Sequence, residues 1–157
     1  MIRAACVFAL LVAAFPADAC SRKGGPPTLA ESIAAAQNIF VARLVSAKEK
    51  SFRADGEVEP YVEGRYRLLE TLKGLPSRTG VVHDLPLGPG NCSLGLLVGW
   101  DYVFMTSPDK EYPRMRWVGF FSGSFPLGPY REPGEADEKE LQEVREILKS
   151  QSEAESP

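Results

Sequence analysis

Ile39-Phe40-Val41-Ala42-Arg43-Leu44-Val45-Ser46-Ala47 is rich in branched and aromatic residues and is interrupted by a single charge. β-Branched and aromatic side chains suit a pleated, buried surface, so the run reads as a central β-strand. Lys48 to Pro60 is charged and holds Gly56 and Pro60, which predicts a long hairpin arm or loop. Tyr61 to Leu72 alternates as a second strand, closed by Lys73-Gly74. Thr79 to Leu85 predicts a third, short strand, Trp100 to Met105 a fourth and Met115 to Phe121 a fifth. Between the third and fourth, Pro86 to Gly95 is crowded with glycine and proline around Cys92 and reads as irregular loop.

Helices flank the strands. Thr28-Leu29-Ala30-Glu31 has the spacing of a capping box, and Leu29, Ile33 and Ala36 fall on one helical face, which should end near Gln37-Asn38. Pro133 to Gln151 predicts a closing helix with Leu141, Val144 and Leu148 on one face and Ile147 beside them. The acidic run Glu135 to Glu140 reads as the solvated, dipole-matched start of that helix. Five short strands between an early and a late helix predict a mainly β fold, a five-stranded antiparallel barrel of the OB type.

Further out lies the N-terminus. Arg3 precedes an uncharged run from Ala4 to Phe15, then Pro16 and the small residues Ala17 and Ala19. This is the layout of a secretory signal peptide, and the apolar run is too short for the roughly 20 residues that span a bilayer. Cleavage after Ala19 divides the chain into a signal peptide at 1–19, a domain at 20–151 and a tail at 152–157. The mature chain then starts at Cys20, in a periplasmic or extracellular setting. Lipidation of Cys20, as in bacterial lipoproteins, is the competing outcome; small Ala17 and charged Asp18 in the recognition segment favour ordinary cleavage.

Cys6 leaves with the signal, so Cys20 and Cys92 remain. In an oxidising compartment two thiols read most simply as a disulfide, against the alternative of two unpaired cysteines. The loop closed is about 73 residues, for which chain entropy predicts on the order of 4 kcal/mol. The net charge of −3 argues against nucleic acid or an anionic membrane as partner.

Catalytic signatures are sparse. His83, the single histidine, sits between Val82 and Asp84 with no nucleophile or second ligand near it in sequence, and reads as structural. No phosphate loop, paired-cysteine zinc signature or Gly-x-Ser-x-Gly elbow is present. The chain therefore reads as no enzyme, with no catalytic residues, no cofactor and no metal site of its own. Asn91-Cys92-Ser93 fits a glycosylation sequon, relevant only in a eukaryotic host. What cleavage does create is a free α-amine, titrating at about 8 in model peptides, beside the Cys20 carbonyl: a bidentate metal-binding pair. Catalytic zinc in proteases keeps one position open, which such an amine can fill.

An N-terminal Cys, Ile39-Phe40-Val41-Ala42-Arg43-Leu44, Leu69-Glu70-Thr71-Leu72-Lys73-Gly74, the Cys92 loop, Gly99-Trp100-Asp101-Tyr102-Val103-Phe104 and Ser122-Gly123-Ser124-Phe125-Pro126-Leu127 follow one another in order. From Cys20 to about Leu127 the chain resembles the tissue inhibitor of metalloproteinases family and its netrin-like relatives, including single-domain bacterial members. The resemblance implies an OB barrel flanked by helices, and a first cysteine bridged to the loop that holds Cys92. It further implies that the amine and carbonyl of Cys20 chelate a protease zinc while Ser21 points into the specificity pocket. Cys20, Ser21 and Asn91 are thus the candidate partner-binding residues, and the implied partner is a zinc metalloprotease. The alternative is a cell-envelope interaction module without inhibitory activity. The chain departs from the family at its third mature residue, Arg22 in place of cysteine, and at that cysteine's partner position, Phe121. Both ends of one bridge are missing together, so no thiol is stranded.

Overall fold

A computed structural model describes residues 25–88, 90–129 and 135–154, with the side chains of 135–137 left out. Residues 1–24, with Cys20 and Ser21 among them and the expected signal peptide before them, and the last three residues lie outside that set. Helix α1 spans Leu29–Ala35 and strands β1 to β4 span Asn38–Ala54, Glu57–Lys73, Thr79–Asp84 and Trp100–Thr106. Strand β5 covers Phe125–Pro129 and helix α2 covers Glu135–Ala154. All five strands pair antiparallel in one sheet of order β3-β2-β1-β4-β5. The fold is mainly β, with the sheet open: β3 and β5 are its edges, and no strand pairing joins them among the described residues.

The expected central strand is central. Root residues Ile39 to Ala42 of β1 are buried on both faces, between β2 on one side and β4 on the other. Where the sequence predicted an arm or loop from Lys48 to Pro60, β1 and β2 continue as a paired ribbon to Ala54↔Glu57. The turn is Asp55-Gly56, both at positive φ (49° and 87°). Two left-handed residues match the strand twist in a two-residue hairpin, which is why Asp-Gly is strong turn chemistry.

The fifth strand is a correction. Met115 to Phe121 forms no strand: Trp117 makes one isolated bridge to His83, and Phe120–Ser122 is a single 3-10 turn. Gly119 is pressed against the Cys92 carbonyl, where an added Cβ would come within 2.7 Å, and the Phe120 amide donates to that carbonyl at 2.9 Å. Those contacts turn the chain away before a ladder can form. The fifth strand is Phe125–Pro129 instead, an edge strand, where proline's missing N–H is tolerated.

Two cores lie on opposite faces. Ile33 of α1, Ala36 just after it, and Leu141 and Val144 of α2 cover Ile39, Val41, Val103, Met105, Phe125 and Leu127. The other face packs Phe40, Ala42, Leu44, Tyr66, Val82, Tyr102, Phe104 and Val118, with Leu94 and Leu96 from the loop against it. The capping box is formed: Thr28 Oγ1 accepts from the Glu31 amide at 3.3 Å, and Glu31 Oε2 accepts from the Thr28 amide at 2.7 Å. Helix α2 runs past the expected end at Gln151 to Ala154.

Candidate functional site: the Cys92 loop and its cleft

The loop that carries Cys92 is irregular, and its backbone amides need acceptors that no ladder supplies. Asp84, the last residue of β3 and 1% exposed, supplies them. Its carboxylate accepts from the Leu85 amide at 2.9 Å, Ser93 Oγ at 2.8 Å, the Leu94 amide at 2.9 Å and the Gly95 amide at 3.0 Å. Burial pushes the Asp84 carboxyl above the usual carboxylate range, against the opposing pull of these hydrogen bonds. Tyr102 completes the frame: its Oη donates to the Gly95 carbonyl at 3.0 Å and accepts from the Leu97 amide at 2.7 Å.

Asn91, a predicted partner-binding residue, is exposed on this loop and its amide Nδ2 donates to the Pro86 carbonyl at 2.8 Å. It braces the loop from within. Cys92 follows, half-buried, with its carbonyl held by the Phe120 amide. Cys20 and Ser21, the other two predicted residues, lie outside the described residues, so only the Cys92 end of the expected bridge has a position.

Cys92 opens onto a cleft of about 620 Å³ that runs from α1 to the segment after β4. Ala35, Met105, Pro108 and Phe121 give it an apolar lining, within the size range of ligand and segment seats. Pro27 lies on its wall too, so the described N-terminal end of the chain and Cys92 share one cavity. Among the described residues three carboxylates, Glu31, Asp84 and Asp109, line it against one ammonium, Lys110. Ser32 is on the same wall, 4% exposed, and its Oγ has no hydrogen-bond partner among the described residues. A buried orphan hydroxyl is costly, so its presence on a cavity wall is informative.

No family model matches the chain, and no curated protein matches it.

His83 takes no part in the cleft. It is buried (4% exposed), its Nδ1 accepts from the Arg116 amide at 2.9 Å, and its ring packs against Tyr61 and Trp117. Burial holds its pKa below the ordinary histidine value, with Glu63 pulling the other way. The ring works as a neutral acceptor that ties the Arg116-Trp117-Val118 segment to β3, on which the backbone bonds His83 N–H to Arg116 O and Val118 N–H to His83 O also act. Among the described residues no group of three or more His, Cys, Asp or Glu side chains is placed to hold a metal ion, and no helix is long and apolar enough to cross a membrane.

Sequence reading missed Asp84 and Ser32. A signal for Asp84 existed: an acid ending a strand before a loop rich in glycine and proline. For Ser32 none did, because its isolation arises from tertiary packing against Gly123.

Proposed function

We propose that this chain is an exported binding domain of the type found in tissue inhibitors of metalloproteinases. In this reading the mature chain starts at Cys20, which bridges to Cys92. The Cys20 amine and carbonyl then meet the catalytic zinc of a metalloendopeptidase, with Ser21 directed at its specificity pocket and Asn91 on the flanking loop. The observation that carries the reading is the shared cleft. Pro27 and Cys92 line one cavity, and the seven positions from Cys20 to Pro27 reach up to roughly 23 Å when extended. Cys20 is thus within reach of Cys92. A rigid terminus lowers the entropy lost on docking, which is what a chelating N-terminus requires.

The barrel belongs to the same proposal. A sheet of order β3-β2-β1-β4-β5 becomes a partly open five-stranded barrel when its edges, β3 and β5, curl toward one another. The aromatic core around Phe40, Tyr102 and Phe104 would then be the interior, with the helices outside.

The experiment is intact mass followed by inhibition. Exported protein should weigh Cys20 to Pro157 less two hydrogens, and it should inhibit a zinc metalloendopeptidase. One alanine inserted before Cys20 displaces the chelating pair and should abolish that inhibition; unchanged inhibition refutes chelation. Arg22 and Phe121, in place of a second bridged pair, favour a second reading: a cell-envelope interaction module with the same fold and no inhibitory activity. A lipid adduct on Cys20 would decide for it.

A further inference from the structure

We propose that the outer edge of β1, from Val45 to Ala54, is a docking seam for a second copy of this chain, joined antiparallel about a two-fold axis at Ser51. The seam does not depend on where the mature chain begins.

The sheet has free backbone along β3, β5, the outer end of β2 and the outer half of β1. All but the last are blunted among the described residues. β3 is flanked by Arg116 to Val118: the His83 amide donates to the Arg116 carbonyl at 2.8 Å, and the Val118 amide to the His83 carbonyl at 2.9 Å. β5 carries Pro126 and Pro129, and the outer end of β2 carries Pro60 beside Glu57 and Glu59. Proline and charge of one sign are how sheets discourage strand addition. Beyond Arg43, β1 has no β4 alongside it, and Val45 to Ala54 holds neither proline nor glycine.

The hairpin decides which groups face that edge. A two-residue turn at Asp55-Gly56 makes Ala54 and Glu57 a hydrogen-bonded pair. Bonded and non-bonded pairs alternate along an antiparallel ladder, so Phe52↔Glu59 and Lys50↔Tyr61 are bonded as well. Arg53, Ser51 and Glu49 lie between them and turn their N–H and C=O groups outward. Pro60 agrees with this phase, because it stands opposite Ser51, where no N–H is asked of it.

Charge selects a second copy as the occupant. A two-fold axis sets one residue of the edge opposite itself. Centred on Lys48, Glu49 or Lys50, the seam would bring like charges face to face. Centred on Ser51, it brings Glu49 against Arg53 of the second copy, twice, and Lys50 against Phe52. Glu49 and Arg53 are both exposed and make no ion pair among the described residues, whereas Lys50 pairs with Glu63 and Arg43 with Asp101. Because Glu49, Ser51 and Arg53 also face their backbone outward, their pairs exchange about six N–H···O=C bonds. The result is a four-stranded ribbon with one body at each end. Val58, on its outer strand, stays outside the seam.

A seam this narrow belongs among weak interfaces, so the mass of the full mature chain is followed by sedimentation from about 1 µM to about 1 mM. A shift from monomer to dimer is expected; monomer throughout overturns the proposal and leaves the edge to a strand of another chain. Ser51→Pro removes an outward N–H without breaking a β1–β2 bond, as Pro60 does across the ribbon, and should weaken the dimer by about tenfold or more. Glu49→Arg should weaken it by about tenfold or more, and adding Arg53→Glu to that variant should restore it. Recovery in the double variant separates a lost seam from a misfolded ribbon. A dimer indifferent to Ser51→Pro and to the single charge change, or one that the double variant fails to restore, overturns the seam.

Discussion

The two faces of the sheet solve the same problem with different chemistry. On one, α1 and α2 lay aliphatic side chains over Ile39, Val41 and Val103, and the 20-residue α2 satisfies most of its own backbone groups. On the other, irregular loop covers aromatic rings, and its amides depend on side-chain acceptors: Asp84 for Leu94 and Gly95, Tyr102 for Leu97, His83 for Arg116. The first face is held mainly by buried area, the second by area plus a few buried polar posts. Irregular backbone can be shaped into a cleft and a presented loop, and the posts are what that shape costs.

The comparison is tested hardest on the helix-backed face. Ile33 is fully buried beneath α1, and Ile33→Ala removes buried methylene groups from a place the short helix cannot refill. A loss of about 2–5 kcal/mol is expected, read as one cooperative shift in chemical denaturation. A local loosening confined to the Cys92 loop would contradict the division into two cores.

Asp84→Asn comes next. The amide retains one acceptor oxygen, but its nitrogen faces donors, so at least one loop amide or the Ser93 hydroxyl is left unsatisfied. About 1–3 kcal/mol should be lost. Unlike Ile33→Ala, the variant should show faster amide exchange at Leu94 and Gly95 than in the helices. Uniform acceleration through the whole sheet would mean that the post supports more than its loop.

How much of this contrast was legible beforehand follows from the same physics. The capping box at Thr28 and Glu31, the core stripe Leu141-Val144 and the central strand at Ile39 are encoded by local periodicity, and each stands in the structure. The sheet's fifth strand was misplaced because Met115 to Phe121 has strand composition, while Phe125-Pro126-Leu127-Gly128-Pro129 has the composition of a turn. Pairing to β4 decided between them, and pairing is non-local. The posts were invisible for a related reason. Leu94, Gly95 and Arg116 donate through backbone amides, which every residue but proline carries, so residue type says nothing about them. The cleft is a product of packing between α1 and the 119–122 turn, segments nearly ninety positions apart in the chain.

Acid should separate the posts. Below the ordinary histidine value of 6.5 the unfolded chain takes up a proton that buried His83 resists. Stability held above that pH is therefore lost as pH falls from 6.5 toward the lowered folded value. Asp84 has the opposite sign. Its folded pKa is raised from 3.8, so its contribution is greatest below 3.8 and is lost as pH rises through the folded value. His83→Gln should flatten the fall just below 6.5, while Asp84→Asn should remove the rise at lower pH. If neither variant alters the profile measured by urea midpoint, the posts are not where the protons bind.

The smallest effect is expected where neither solution operates, at the tip of the β1–β2 ribbon. Phe52 ties the ribbon's lower part down, with its ring 5.8 Å from Tyr61 and 5.1 Å from Tyr112, and Lys50 pairs with Glu63 at 2.7 Å. Beyond them Val58 is 59% exposed, opposite Arg53. Among the described residues the outer ribbon has no third strand, since β4 pairs with β1 only as far as Arg43 and β3 with β2 only from Val62. Val58→Lys should thus change stability by no more than about 0.5 kcal/mol, as surface substitutions away from packed features do. Phe52→Ala should cost more, because it removes a ring that three neighbours contact. A loss above about 1 kcal/mol for Val58→Lys that fades on dilution would show the tip meeting a second copy, through the unpaired edges that a bare two-stranded ribbon offers.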